Sequence, residues 1–126
     1  MKDIPFQIEF CEKLIEKNPN FVEALTTLGE LYTRQGLYEK GLQMDIRLIK
    51  LRPYDPLCHY NLACSYSLLR RHNEALEALE KCIVLGYDDF QFLEADADLN
   101  SLRQDPRFKD LLLKYFKKPM SQKDSL

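Results

Sequence analysis

The sequence predicts an all-α protein, an α-solenoid built from stacked helical hairpins. Only 4 Gly and 6 Pro occur among the 126 residues, so long stretches of the chain contain no helix breaker. The chain also aligns with itself at an offset of 34 residues, which brings Pro19 onto Pro53, Leu28 onto Leu62 and Tyr32 onto Tyr66. A fixed period of this length indicates a repeat of helical units, each stacking on its neighbours.

The first predicted element is an N-terminal capping helix over residues 4–18. Leu14 aligns with Leu48 and Cys82 at the same offset, so this helix behaves like the second half of a repeat. Its apolar residues cover more than one face, and a stacked array needs a polar outer surface. Two outcomes remain open: the helix end folds back onto the array, or it is a self-association surface that makes a two-fold homodimer. The residues predicted for that surface are Ile4, Phe6 and Ile8.

Two full repeats are predicted to follow, over residues 21–52 and 55–86. In the first, amphipathic stretches on either side of Gly36 predict two antiparallel helices, because Gly readily adopts the left-handed turn conformation after a helix. The second repeat keeps the apolar pattern, although Arg70 stands where the first has its turn glycine. The stripe residues are Leu25, Leu28, Tyr32, Gly41, Met44 and Leu48 in the first unit, and Leu62, Ala63, Tyr66, Ala75, Leu79 and Cys82 in the second.

The 34-residue pattern breaks after the second repeat, which predicts a different closing segment over residues 88–117 with a final helix. Asp105 is expected to cap that helix, with Pro106 at its first position. The acidic residues before it are interpreted as helix caps and a solvated linker. Residues 1–118 therefore form one predicted domain, and residues 119–126 are a predicted disordered tail, since they offer little apolar surface to bury.

The repeated residues resemble those of the tetratricopeptide repeat (TPR) family. The matching positions are Leu25, Leu28, Gly29, Tyr32, Gly36, Tyr38 and Pro53. Asp45 departs from the pattern, because a buried aromatic residue is usual there, and a locally thinned or shifted second helix is expected. The stretch after the second repeat looks like the closing segment of many bacterial TPR arrays. Together these resemblances cover roughly Phe6 to Tyr115. They imply a right-handed α-solenoid that acts as a non-catalytic adaptor or scaffold and binds a protein or peptide.

The resemblance also implies a concave groove lined by the first helix of each hairpin, which holds an extended or helical partner segment. Asn61 is the strongest candidate, because family members often carry Asn here and an amide both donates and accepts hydrogen bonds. Thr26 and Glu30 stand where a carboxylate-binding clamp requires Lys and Asn, so such a clamp is disfavoured. Glu23 and Glu30 together favour a ligand that carries basic groups. The predicted protein-binding residues are Glu23, Thr26, Thr27, Glu30, Arg34, Leu57, Tyr60, Asn61, Cys64 and Ser67.

Several other functions are disfavoured by the sequence. With a net charge of −2 and an acidic middle, the chain has no concentrated basic face for nucleic acid. No apolar run is long enough to span a membrane and no signal peptide is evident, so a cytoplasmic location is expected. The 4 cysteines show no C-x-x-C spacing and are expected to be buried free thiols.

Catalysis and metal binding also find little support. His59 and His72 fall in different elements, and no phosphate-binding loop, nucleophile motif or zinc motif occurs. A short helical array offers a shallow surface in place of a deep pocket. We therefore expect no enzymatic activity, no cofactor and no metal.

Overall fold

The computed structural model describes residues 3–116, and the predicted all-α solenoid fold is confirmed. Within this range the chain forms eight α-helices and no strand, with a short 3₁₀ turn at Ala97–Leu99 before the seventh helix. The helices are α1 (Ile4–Lys17), α2 (Val22–Arg34), α3 (Tyr38–Leu51), α4 (Pro56–Leu68), α5 (His72–Val84), α6 (Phe90–Ala95), α7 (Asn100–Arg103) and α8 (Pro106–Phe116). The predicted tail, residues 119–126, lies outside the described residues.

Capping side chains and turn residues set the limits of the helices. Asp3 accepts a hydrogen bond from the Phe6 amide at 2.8 Å, and Asp55 accepts one from the Leu57 amide at 2.9 Å. Gly36 ends the first hairpin's α2 with a φ of +78°. Arg70 occupies the equivalent turn of the second hairpin with a φ of +60°, a conformation that L-residues adopt at a cost.

Close approach between α2 and α3 depends on glycine. A Cβ atom added at Gly41 would lie 2.9 Å from Thr33 Oγ1, and one added at Gly29 would lie 3.4 Å from Met44 Cβ. α3 runs without interruption past Asp45, which is buried and accepts a hydrogen bond from the Ser65 hydroxyl of α4. No distortion of α3 is needed to place this carboxyl group between the two hairpins.

The core is divided into two clusters along the array. One joins α1, α2 and α3 with Cys58 of α4, and the other joins α4 and α5 with the closing segment. Leu93, Leu99 and Leu102 of the closing segment are fully buried, and Arg103 Nη2 donates to the carbonyl oxygens of Leu93 and Asp96 at 2.9 Å each. The closing segment is therefore part of the packed fold and covers one end of the array.

The last helix begins as the sequence predicts. Asp105 accepts a hydrogen bond from the Arg107 amide at 3.0 Å and Pro106 is the first helical residue. The Arg107 guanidinium, 2.7 Å from Asp105 Oδ2, holds the pKa of this carboxyl well below its ordinary value. The four cysteines are free and buried, as expected.

Candidate functional site

A concave groove of about 620 Å³ runs between the first helices of the two hairpins and the closing segment. The groove has one wall from α2, a floor from α3 and α4, and a second wall from the closing segment. Its lining residues are Thr26, Gly29, Glu30, Thr33 and Arg34 of α2, Asp45 of α3, Leu57, Tyr60, Asn61, Cys64, Ser65 and Leu68 of α4, and Tyr87, Phe92, Asp96 and Asp98 beyond them.

Tyr60 fixes the closing segment against α4. Its ring stacks on Tyr87 with the centroids 4.9 Å apart, and its centroid lies 5.9 Å from that of Phe92. The Tyr60 hydroxyl donates a hydrogen bond to the Asp96 carboxylate. Burial, the neighbouring thiol of Cys64 and this contact raise the pKa of Tyr60 far above its ordinary value. The phenol is therefore a structural donor, and only part of its ring faces the groove.

Asp96 organises the loop that forms this wall. Its Oδ1 accepts the Asp98 amide at 3.0 Å, and its Oδ2 accepts from Tyr60 and lies 3.8 Å from Cys64 Sγ. Its backbone carbonyl accepts from Arg103, as described above. The side-chain bond to the Asp98 amide caps the 3₁₀ turn. This set of bonds holds the Asp96 carboxylate at the groove and fixes the backbone at Asp98.

The groove is acidic. Four of its lining residues carry carboxyl groups, at Glu30, Asp45, Asp96 and Asp98, against one basic side chain, that of Arg34. Burial raises the pKa of Asp45 to about 6, with a smaller contribution from Glu30, while the hydrogen bond from Ser65 opposes the rise. Burial and the neighbouring Asp96 raise the pKa of Asp98 as well. A positive ligand charge would relieve the unfavourable ionisation of these groups.

Asn61 differs from the other polar residues that α4 contributes to the groove. Its side chain is half-buried at the groove and makes no hydrogen bond with any other residue between positions 3 and 116. Cys64 and Ser65, by contrast, already contact Asp96 and Asp45. Leu57, one turn before Asn61 and 57% exposed, adds apolar surface beside the amide. A ligand in the groove would meet an amide with donors and an acceptor available.

Seven of the ten predicted protein-binding residues lie together in this groove: Thr26, Glu30, Arg34, Leu57, Tyr60, Asn61 and Cys64. Glu23 and Thr27 do not, because they are four residues apart on the side of α2 that faces α1. Ser67 is fully buried, and its carbonyl accepts a hydrogen bond from Ser101 at 2.8 Å, so its side chain is inaccessible to a ligand. Partner binding at these residues stays a prediction.

The sequence reasoning missed the wall supplied by the closing segment. The sequence indicates that Asp96 and Asp98 are helix caps or part of a solvated linker and that Tyr87 and Phe92 belong to the closing segment, yet all four residues line the groove. The aromatic and acidic residues that follow the second repeat were a visible signal. Their position beside α4 depends on the contact between Tyr60 and Asp96. These two residues are 36 positions apart in the chain, and the periodicity of the sequence does not reveal that they meet.

A second groove of about 460 Å³ lies between α1 and α2 and is almost entirely apolar. Its lining residues are Phe6, Gln7, Phe10, Cys11, Leu14, Phe21, Glu23, Ala24 and Thr27. Of the residues predicted for self-association, only Phe6 lies here. Ile4 and Ile8 turn towards the core and pack on the cluster that joins α1 and α2, since they lie on the opposite side of α1. The exposed apolar residue that the prediction omitted is Phe10.

The histidines have structural contacts. His59 Nε2 lies 2.7 Å from the Pro53 carbonyl oxygen, and His72 Nε2 lies 3.1 Å from Ser101 Oγ. Between residues 3 and 116, no three His, Cys, Asp or Glu side chains are arranged to hold a metal ion. No helix in that range is both long and apolar enough to cross a membrane.

Comparison with known proteins places these features among helical repeats. The family model described as anaphase-promoting complex, cyclosome, subunit 3 matches residues 4–82. A chloroplastic protein from Arabidopsis thaliana is 35% identical over 91 residues, which cover 70% of this chain and 27% of that protein. The BBSome complex member BBS4 from Bos taurus is 33% identical over 84 residues, which cover 67% of this chain and 16% of that protein. The chain thus spans about a quarter of the length of the Arabidopsis protein and about a sixth of the length of BBS4.

Solved structures agree on the fold. The crystal structure of MamA superposes with a TM-score of 0.60 at 19% sequence identity, covering 94% of this chain and 87% of that one. At this identity the likeness concerns the path of the helices alone.

Proposed function

Because this chain belongs to the family of TPR-type repeats described as anaphase-promoting complex, cyclosome, subunit 3, we propose that it is a non-catalytic protein-binding module whose concave groove holds a basic peptide or helix of a partner. The observation that carries this proposal is the combination of an acidic, partly aromatic groove with the available amide of Asn61. The proposed role is that of an adaptor or scaffold.

Electrostatics supports a basic partner. Four carboxyl groups line the groove. Burial raises the pKa of Asp45, and partial burial together with the neighbouring Asp96 raises the pKa of Asp98. A lysine or arginine side chain there would stabilise the ionised carboxylates in a region of reduced solvent screening. The ring of Phe92, which is 49% exposed and lines the groove, offers a face on which a guanidinium or ammonium group can stack.

The geometry of Asn61 supports recognition of the partner's backbone. An amide side chain pairs with both the N–H and the C=O of an extended or helical segment, whatever its side chains are. Asn61 lies at the groove with the exposed Leu57 one helical turn before it. The amide would thus position the segment, and the acidic wall would select its charge.

The relatives are consistent with a role in assemblies. The name of BBS4 describes a member of a complex, and the family description is that of a complex subunit. The matched region covers only 16% of BBS4, so the partner here is defined by its chemistry alone. A cytoplasmic location stays a prediction, since the other relative is described as chloroplastic.

Selection of peptides followed by titration tests the proposal. Random 12-residue peptides displayed on phage would be selected on the purified chain, and the enriched peptides would be synthesised and titrated by fluorescence anisotropy. We expect enrichment of Lys and Arg, and a roughly tenfold weaker Kd with Glu30→Lys and with Asn61→Ala. Glu77→Lys on the exposed side of α5 is the matched control, with a Kd within about twofold of the wild type.

Two results would overturn the proposal. One is enrichment of peptides without basic residues, and the other is binding that tolerates both Glu30→Lys and Asn61→Ala. Raising the salt concentration from about 50 mM to about 500 mM should also weaken binding, because added ions screen charges at a groove open to solvent.

A further inference from the structure

The apolar groove between α1 and α2 has a counterpart in the next repeat that a helix covers. Adding 34 residues to Phe10, Leu14 and Ala24 gives Met44, Leu48 and Cys58, all of them buried in the core. At the covered site α2 packs on α3, with Gly29 against Met44. Phe10 is 56% exposed where Met44 is 8% exposed, and no helix within residues 3–116 covers it. The groove is therefore shaped to accept one more helix.

The charge pattern of α1 indicates which helix fits. Asp3, Phe6, Phe10, Lys13 and Lys17 follow one another at alternating intervals of three and four residues, so they lie along one stripe of the helix. The stripe is acidic at its first residue, apolar in the middle and basic towards its end. Such a pattern is complementary to itself only when two copies run in opposite directions.

Antiparallel pairing centred on Phe10 brings complementary groups together. Phe10 then meets Phe10 of the second copy, Phe6 meets Leu14, and Asp3 meets Lys17. Parallel pairing would instead place each lysine against its equivalent, which is repulsive. Charge and apolar pattern thus select the same orientation.

We propose that a second copy of this chain occupies the groove, with the two α1 helices antiparallel about a two-fold axis. In this dimer Phe6 of each copy enters the groove of the other, between α1 and α2, beside Phe21 and Ala24. No residue lines both this groove and the concave groove, so the dimer leaves the proposed ligand site open and presents it twice. The proposal is independent of what the concave groove binds.

The dimer should be of moderate affinity. α1 has 14 residues, which gives a seam about 21 Å long, so the interface falls at the small end of stable protein interfaces. We expect a Kd on the order of 10 µM.

Sedimentation equilibrium and light scattering test this dimer, from about 1 µM to about 300 µM, a range that spans the expected Kd. The expected result is a concentration-dependent rise from the chain mass of 14.9 kDa to twice that value. Phe10→Glu should keep the mass at the monomer value throughout. Val84→Glu is the matched control, since Val84 is 60% exposed on α5, and this variant should dimerise like the wild type.

Charge exchange tests the orientation. Asp3→Lys and Lys17→Asp should each weaken the dimer several-fold, and the double variant should restore it, because the two new side chains attract each other across the seam. Asp3→Asn is the control for helix capping, because asparagine can still cap α1 but carries no charge. It separates the effect of losing the cap from the effect of losing the charge. A monomeric mass at every concentration, a mass that grows beyond two copies, a dimer that survives Phe10→Glu, or absence of rescue in the double variant would each overturn the proposal. Circular dichroism of every variant verifies that the helices are retained.

Discussion

The two ends of the helical array are finished in different ways. At the carboxyl end, the closing segment buries Leu93, Leu99 and Leu102 against α4 and α5 and places aromatic and acidic residues beside the concave groove. At the amino end, α1 packs on α2 along Ile4, Ile8 and the neighbouring core residues and leaves an apolar groove open. One end is closed by the chain's own residues, whereas no helix among residues 3–116 covers the apolar groove at the other end.

This difference shows how one repeat pattern can provide two kinds of surface. A stacked helix needs apolar neighbours on both sides, and a chain meets that need either with its own irregular segment or with another molecule. The closed end gains charged and hydrogen-bonding groups that suit a selective ligand site. The open end keeps an almost uncharged groove that suits a second copy of the chain. Mutations at the two ends should therefore affect different measurements.

The largest expected contrast is in folding stability. Leu99→Ala removes a fully buried side chain of the closing segment and should lower the free energy of unfolding by about 3 to 4 kcal/mol. Phe10→Ala at the open end should change it by less than about 1 kcal/mol, because the ring is 56% exposed. Urea denaturation, monitored by circular dichroism, measures the free energy of unfolding of both variants. Equal losses of unfolding free energy for the two variants would mean that both ends are packed to the same extent.

The pH dependence of stability should come from the groove floor. The pKa of Asp45 is raised from 3.8 to about 6 in the folded chain, so folding favours the protonated form. The resulting stabilisation is complete below the unfolded pKa and is lost as pH rises through about 6. Asp45→Asn mimics the protonated group and should gain about 2 to 3 kcal/mol relative to the wild type between pH 4 and pH 7. Urea denaturation at each pH measures the difference in the free energy of unfolding between Asp45→Asn and the wild type. A difference that stays constant from pH 4 to pH 7 would contradict the raised pKa of Asp45.

The contact between Tyr60 and Asp96 should have a smaller effect. Tyr60→Phe keeps the stacking on Tyr87 and removes the hydroxyl that donates to the carboxylate, so a loss of about 1 to 2 kcal/mol is expected. The amide exchange of residues 87–99 should accelerate at the same time, because this bond ties the closing segment to α4. Hydrogen exchange with mass spectrometry measures the change, and unaltered exchange in that segment would show that the bond does not fix the wall.

The smallest effect is expected at the hairpin turns. Arg70 adopts the left-handed conformation with a φ of +60°, where the first hairpin has Gly36. Arg70→Gly should therefore stabilise the chain by about 1 kcal/mol, and Gly36→Ala should destabilise it by a similar amount. Thermal denaturation of the two variants compares the turns directly. A loss of stability with Arg70→Gly would mean that the arginine side chain contributes more than its backbone strain costs.

Much of the fold could be predicted from local signals. The 34-residue spacing, the turn at Gly36 and the cap at Asp105 each act over one helix or one turn, so the sequence displays them directly. The all-α prediction is confirmed for this reason. The α2 and α4 residues of the concave groove were also accessible, because helical periodicity and the TPR resemblance placed most of them on one face.

The parts that escaped prediction depend on contacts between distant residues. Asp96 becomes part of the groove only because Tyr60 donates to it, and Ser67 is inaccessible because the closing segment, through Ser101, packs over it. At the amino end, Ile8 and Phe10 look equally apolar in the sequence. Which of them is exposed depends on how α1 rotates against α2, and this rotation places Ile8 on the core.

The most direct test of the central claim is to map the position of a selected basic peptide by NMR. In a titration of ¹⁵N-labelled chain, the account predicts that the largest chemical-shift changes fall on Glu30, Asn61, Phe92 and Asp98, around the acidic groove. The Asn61 side-chain amide should shift with them. Two results would contradict the claim that the closed end forms the ligand site. One is chemical-shift changes centred on Phe10 and Phe21. The other is the absence of chemical-shift changes at peptide concentrations that saturate the binding measured by fluorescence anisotropy.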